Sequence, residues 1–251
     1  MPASTEPTAT LSHLHRADGS ATFSQNGYTV IGAVNGPIEV QRRDELPEEA
    51  AIDVIVRPGA GVGGTRERHL ESILQSTLRQ IILIQNFPRT LIQITLQITE
   101  TPENETTGAK IVQASSNLAI LPTLLQTSIL TLLSASMPLS TAVVFVLLAV
   151  VVDGTSKNII PNPSLIQSQN AESIHVLGFT STGELLVAES EGSFSITQWD
   201  DIFHQARQLC YRNKEVDGDE MEDTSDNEGE MMAFVKSTLQ GKVASDLSWK
   251  G

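Results

Sequence analysis

From Ile111 to Val152 the sequence carries no charged residue. A run of that length either crosses a bilayer or lies buried in a protein core. Three features favour the core. Pro122 and Pro138 interrupt it, and hydroxyl side chains recur at Thr123, Thr127, Ser128, Thr131, Ser134, Ser136, Ser140 and Thr141. Beyond Pro138, Val143, Val144, Val146, Val150, Val151 and Val152 supply the β-branched chains that suit a buried strand. No Lys or Arg cluster flanks the run to orient it in a bilayer. It reads as a helix over Leu118–Ala135 followed by a strand over Thr141–Val152, with no membrane expected as a partner. A single domain of this size is not expected to bury every apolar side chain on both elements. Leftover apolar surface here would mark an obligate partner and make the isolated chain poorly soluble.

Charge is as unevenly spread as its absence. The 251 residues carry a formal −14, but nine of the thirty acidic residues fall within 215–230, where there is no Lys or Arg. The rest of the chain holds 21 acids against 16 bases, a balance of −5 that does not forbid contact with RNA. The acidic stretch reads as a solvated, disordered insert. Cys210 is the only cysteine, so neither an internal disulfide nor a thiolate zinc cluster can form, which suits a reducing compartment. The beginning of the chain lacks the basic and apolar regions of a secretory signal. Aromatic residues make up 4%, too few for an extended stacking platform.

Along the chain, a flexible leader over residues 1–12 gives way to short strands separated by Asp18-Gly19, by the hairpin turn Asn26-Gly27, and by Asn35-Gly36-Pro37, which closes one strand and starts another. Ala51–Pro58 reads as a strand. Leu70, Ile73, Leu74, Thr77, Leu78, Ile81 and Ile82 recur at helical spacing and predict a helix from about Thr65 to Leu83. Strands are predicted around Leu91–Ile98 and over Lys110–Ala114, with further ones in SIHVLGF, ELLVAES and SFSIT. A helix is expected from near Gln198 to Lys214, and a second over Met231–Trp249. The domain boundaries expected are 1–12 (leader), 13–214 (one α+β domain), 215–230 (acidic insert) and 231–251 (a C-terminal helix completing the domain).

Several motifs invite chemistry and fail on context. Gly59-Ala60-Gly61-Val62-Gly63-Gly64 matches a dinucleotide fingerprint between a strand and a helix. Yet Pro58 intervenes, three or more strands precede it, and no acid sits where a ribose would need one. It reads as a glycine-rich surface loop. The five histidines show no metal-ligand spacing beyond His13 and His15, no G-x-S-x-G is present, and no carboxylates pair for acid–base work. Basic residues do gather. Arg42 and Arg43 end a strand, and Arg66 and Arg68 open a helix whose free amides could add to a phosphate site. These four arginines are the candidate RNA contacts; no catalytic, cofactor-binding or metal site is expected.

Taken in order, RADGSA (Arg16–Ala21), GPIEV (Gly36–Val40), TRERHLES (Thr65–Ser72), FPRT (Phe87–Thr90) and IVQAS (Ile111–Ser115) resemble the ribonuclease PH family from about residue 13 to about residue 215. The short form, with RADGSA near the start, is most similar to a fungal member of the ring of the eukaryotic RNA exosome. The resemblance implies the ribonuclease PH fold (ribosomal protein S5 domain 2-like), an α+β fold of mixed sheets packed with helices. It further implies work as part of a hexameric ring in 3′-to-5′ RNA processing and decay. That work covers ribosomal RNA maturation, RNA surveillance and mRNA turnover, in nucleus, nucleolus and cytoplasm. The implied partners are other ribonuclease PH-like ring subunits, S1/KH cap subunits and, through the assembled complex, RNA.

The same resemblance separates two classes of function, a structural ring subunit and an active phosphate-dependent 3′-to-5′ exoribonuclease. Active members carry Gln-Ala-Asp-Gly-Gly-Ser/Thr-Arg, whose hydroxyl and arginine hold the attacking phosphate. Here Gln113–Ala119 aligns with it, placing Ser115 at the acid, Leu118 at the hydroxyl and Ala119 at the arginine. Active members also have an acid-rich loop that places a metal and a general acid. The matching Asn162–Ser173 keeps only Glu172, too little for metal-assisted phosphorolysis. Ile38 replaces the arginine that follows Gly-Pro in active members, and Thr65 replaces the basic partner of Arg66. The expectation is a non-catalytic subunit that requires no cofactor.

Overall fold

The computed structural model describes residues 6–43, 45–102, 118–153, 156–211 and 230–250. The chain divides into two compact units, Met1–Ala142 and Val143–Gly251, where the sequence suggests one undivided domain. The division falls inside the charge-free run, so no change of composition marks it.

In the first unit, β1 (Thr8–Leu11), β2 (Gly19–Gln25), β3 (Tyr28–Glu39), β5 (Thr90–Glu100) and β4 (Ala51–Arg57) form one sheet in that spatial order. Only β4 runs parallel to its neighbour. Asn26 (φ 53°) and Gly27 (φ 79°) make the expected tight turn, with Gln25 paired to Tyr28 across it. Two expectations change here. Thr8–Leu11 belongs not to a leader but to β1, which pairs with Ala21–Ser24 along the outer side of β2. Asn35-Gly36-Pro37 does not end a strand either. β3 continues through it to Glu39 with a bulge between Asn35 and Ile38. Gly36 is required there, because at φ 151° an added Cβ would stand 2.9 Å from the Leu91 carbonyl. Its amide donates to the Asp18 carboxylate at 2.8 Å, and the Asp18 amide donates to the Val34 carbonyl at 3.1 Å.

Alternation decides the faces of this sheet. Ile92, Ile94, Leu96 and Ile98 of β5 are buried while Gln93, Thr95 and Gln97 between them are half-buried. Helix α1 (Thr65–Ile81) lies against β4 on the stripe Leu70, Ile73, Leu74, Thr77, Leu78 and Ile81. It also closes the open edge of β4. The Glu71 carboxylate accepts the Val56 amide at 2.8 Å, and the Gln75 side-chain amide donates to the Ile52 carbonyl at 2.7 Å.

Helix α2 (Leu121–Ser134) packs on β2, β3 and β5. Every one of its residues is buried except the half-buried Leu133. Three of its hydroxyls are satisfied within the helix, Thr127, Ser128 and Thr131 each donating to the carbonyl four residues earlier at 2.6–2.8 Å, and the Ser134 hydroxyl meets the Ser12 hydroxyl at 2.9 Å. This accounts for a charge-free, Ser/Thr-rich run without a bilayer. No helix among the described residues is long and apolar enough to cross a membrane.

The second unit holds an antiparallel sheet in the order β7 (Ser156–Pro161), β6 (Val143–Asp153), β8 (Ser173–Thr180), β9 (Leu185–Gly192). Val143–Val150 and all of β8 are buried, which is why both read as near-continuous apolar runs. The expectation of leftover apolar surface is therefore not met over residues 118–152, the described part of the run. Among its described residues only Val152 is a large apolar side chain left exposed, and the ground for expecting poor solubility goes with it. A short α3 (Leu165–Gln169) precedes β8. Helix α4 (Ile196–Cys210), capped by Ser195 through the Gln198 amide at 3.3 Å, packs on β6 and β8. α5 (Glu230–Asp246) packs against α4. The predicted strand over 110–114 and the acidic insert, apart from Glu230, lie outside the described residues.

Candidate nucleic-acid interface

Strand direction decides what the four candidate arginines can do together. Arg42 and Arg43 follow the end of β3, where Glu39 pairs with Thr90 and the beginning of β4 pairs with Leu91. Arg66 and Arg68 open α1, beyond the other end of β4. Seven residues of β4 at ~3.3 Å each put roughly 20 Å between the two ends. The structure thus makes two arginine pairs at opposite ends of one sheet, not one basic cluster.

At the Arg66 end the first sheet and α1 enclose an open cleft of about 980 Å³, whose lining includes Tyr28, Gly59, Arg66, His69, Ile98 and Ile120. The glycine-rich loop forms one wall, with Val62 wholly exposed near its tip. The α1 N-terminus is not an open anion site. The Glu67 carboxylate accepts the Gly64 amide at 2.7 Å, placing a negative charge where a phosphate would sit. Any phosphate contact here must come from the arginine side chains. Burial raises the Tyr28 phenol above its ordinary range and the nearby Arg66 guanidinium pulls it partly back, so Tyr28 stays a neutral phenol at physiological pH. Nothing in the sequence pattern marked Tyr28 or His69. The hairpin turn fixes only the strand in which Tyr28 lies.

The start of α2 bears on phosphate binding from another side. Leu118 is buried and Ala119 half-buried, followed by buried Ile120, Leu121 and Pro122, and no side chain caps the helix. Neither Leu118 nor Ala119 supplies a hydroxyl or a cation, and Pro122 removes one of the amides an anion would use. The remaining positions of that motif, 113–117, lie outside the described residues.

In the second unit, Glu172 has its Oε2 2.5 Å from Lys157 Nζ, so the one acid kept in the Asn162–Ser173 loop is paired with a cation. Ser173 is occupied as well. His175, fully buried on β8, contacts the Ser173 hydroxyl through Nε2 at 2.9 Å and the Ser190 hydroxyl through Nδ1 at 2.8 Å, with the Phe194 and Trp199 rings beside it. Burial lowers its pKa to about 4, making it a neutral core histidine. Burial likewise pushes the Cys210 thiol up to about 12, which makes it unreactive. Among the described residues, no three His, Cys, Asp or Glu side chains converge as metal ligands.

The 3′ exoribonuclease family, domain 1 (RNase PH), matches residues 6–144, which hold the whole of the first sheet, and the chain belongs to that family. It is 33% identical over 203 residues to exosome complex component RRP46 of Saccharomyces cerevisiae, across 78% of this chain and 86% of the yeast protein. The crystal structure of rice (Oryza sativa) Rrp46 superposes with a TM-score of 0.72 at 24% identity, covering 94% of this chain and 95% of the rice chain. The Archaeoglobus fulgidus exosome with RNA bound to the active site gives 0.61 at 11%, covering 81% and 84%. At these identities the two structures speak for the fold, which is the ribonuclease PH fold expected from the sequence.

Proposed function

We propose that this chain is a non-catalytic structural subunit in the hexameric ring of a eukaryotic RNA exosome, supporting 3′-to-5′ RNA processing and decay. The observation that carries ring membership is the 33% identity to the yeast exosome component across most of both chains. The silent site is supported by its chemistry. Leu118 and Ala119, in the turn ahead of α2, offer a phosphate neither hydroxyl nor cation, and Glu172 is paired with Lys157. Its partners are other ribonuclease PH-like ring subunits and S1/KH cap subunits, in nucleus, nucleolus and cytoplasm. RNA touches it in passing, at the Arg66 and Arg68 end of the first sheet. Arg42 and Arg43 form a separate second patch.

The test joins both halves of the reading. The tagged chain purified from its source brings other ribonuclease PH-like chains with it. As the isolated full chain with RNA, phosphate and Mg²⁺, it releases no nucleoside diphosphate above a blank. Recovery of the chain alone would remove the ring assignment. Phosphorolysis that disappears on substitution of residues around Ala119 would make it an active exoribonuclease.

The acidic stretch 215–230 is an insert that the fold does not need. Nine acids with few apolar side chains cannot offset the entropy of being ordered, and the helices on either side, α4 and α5, pack on each other. Replacing residues 215–229 by a neutral Gly/Ser linker is expected to leave the melting temperature within about 2 °C of the wild type. A larger fall would show that the stretch docks on the protein.

A further inference from the structure

The cleft at the Arg66 end holds an aromatic ring beside a guanidinium on a wall of glycines. That is the combination a single-stranded nucleic acid uses, one base on the ring and its phosphate on the cation. Resting on the reading that RNA touches Arg66, we infer that Tyr28 is a base-stacking residue of this cleft, receiving one base of the strand whose phosphate lies on Arg66. Tyr28 opens β3 directly after the Asn26-Gly27 turn, is half-buried, and lines the cleft together with Arg66.

The acids that also line the cleft are both engaged. Glu67 accepts the Gly64 amide, and Glu100 accepts the Thr29 hydroxyl at 2.9 Å. They still offset the charge of Arg66, so binding here depends more on stacking than on electrostatics. An aromatic content of 4% argues against an extended platform, but one base needs one ring.

The test is binding of the full chain to fluorescein-labelled oligouridylate by anisotropy at several salt concentrations. It compares the wild type with Tyr28→Phe, Tyr28→Leu and Arg66→Gln, each first checked for an unchanged melting temperature. Tyr28→Leu keeps an apolar side chain and Tyr28→Phe keeps the ring, so a folding defect in one does not remove the comparison. Tyr28→Phe is expected to bind like the wild type. Tyr28→Leu is expected to bind about tenfold more weakly with an unchanged salt dependence. Arg66→Gln should lose about 0.7 from the slope of log affinity against log salt, the contribution of one phosphate on a single strand. If Tyr28→Leu binds like the wild type while Arg66→Gln is weakened, the role of Tyr28 is wrong and the Arg66 reading stands. If Tyr28→Phe falls as far as Tyr28→Leu, the hydroxyl and not the ring makes the contact, and stacking is wrong. If Arg66→Gln changes nothing, or the wild type does not bind, the RNA reading of this end falls and the inference with it.

Discussion

Gly32→Ala is expected to destabilise the protein by about 1–3 kcal/mol, and Gly32→Ala with Thr131→Ala to recover most of that loss. Gly32 lies at the middle of β3, under α2. A Cβ added there would stand 2.3 Å from Thr131 Oγ1 and 2.9 Å from Thr127 Cγ2. Neither threonine can swing aside at little cost. Each is β-branched on a helix, and each hydroxyl is held on the carbonyl four residues earlier at 2.6 Å. The end of the helix lies just as close to β2, with Ala135 2.5 Å from where a Cβ on Gly19 would be. Lifting α2 off the sheet would open its buried face along both strands. The overpacking energy must therefore appear as lost stability, and removing the Thr131 hydroxyl and methyl returns the space. Gly32→Val, with two further carbons, should leave little folded protein. Urea unfolding of the two single variants and the double gives the coupling energy directly. A Gly32→Ala variant as stable as the wild type would mean that α2 does not lie on β3 as described.

The second large effect is on pH dependence. His175 is neutral in the folded protein with a pKa lowered to about 4, against an ordinary 6.5 once the chain unfolds. Between those values the unfolded chain binds a proton that the folded one refuses. The stability His175 contributes is therefore complete above pH 6.5 and is lost as the pH falls from 6.5 to about 4. At about 1.4 kcal/mol for each tenfold change in proton affinity, the loss comes to about 3 kcal/mol. His175→Gln keeps a polar side chain between Ser173 and Ser190 but cannot titrate. Carboxylates titrate in the same window, but in both proteins alike. Stability measured in urea at steps from pH 7 to 4 should fall more steeply for the wild type, the two curves converging or crossing at the acid end. Parallel curves would mean that His175 is reached by water.

What could be read from the sequence was what repeats locally. The seven apolar positions from Leu70 to Ile82 located α1, and Asn26-Gly27 placed the β2–β3 hairpin, because each signal lies within a few residues of its own consequence. The Thr141–Val152 prediction matched β6 to within two residues at its start. β1 was missed because a four-residue strand has too little alternation to stand out, and it exists only because the outer side of β2 needs a partner. The separation of Arg42 and Arg43 from Arg66 and Arg68 was hidden for a different reason. It depends on β3 running against β5 while β4 runs with it, a relation between strands that no stretch of either one contains. The candidate site was legible as chemistry removed, at Leu118, Ala119 and the Asn162–Ser173 loop. It was not legible as chemistry present: Tyr28 on β3 and Arg66 on α1 come to line one cleft only through the fold.

The packing of α5 on α4 also bears on how freely this chain can vary over time. Because the two helices touch, the residues between them close a loop rather than bridge a gap. The entropy of closing a loop grows only with the logarithm of its length, about 0.6 kcal/mol for each doubling. Selection on folding therefore acts only weakly on how long this connection is. Duplications and deletions can accumulate between Cys210 and Glu230 at little cost to folding. Relatives that share every strand and helix should differ most in length at this junction, and a reporter domain grafted there should leave the rest of the protein undisturbed.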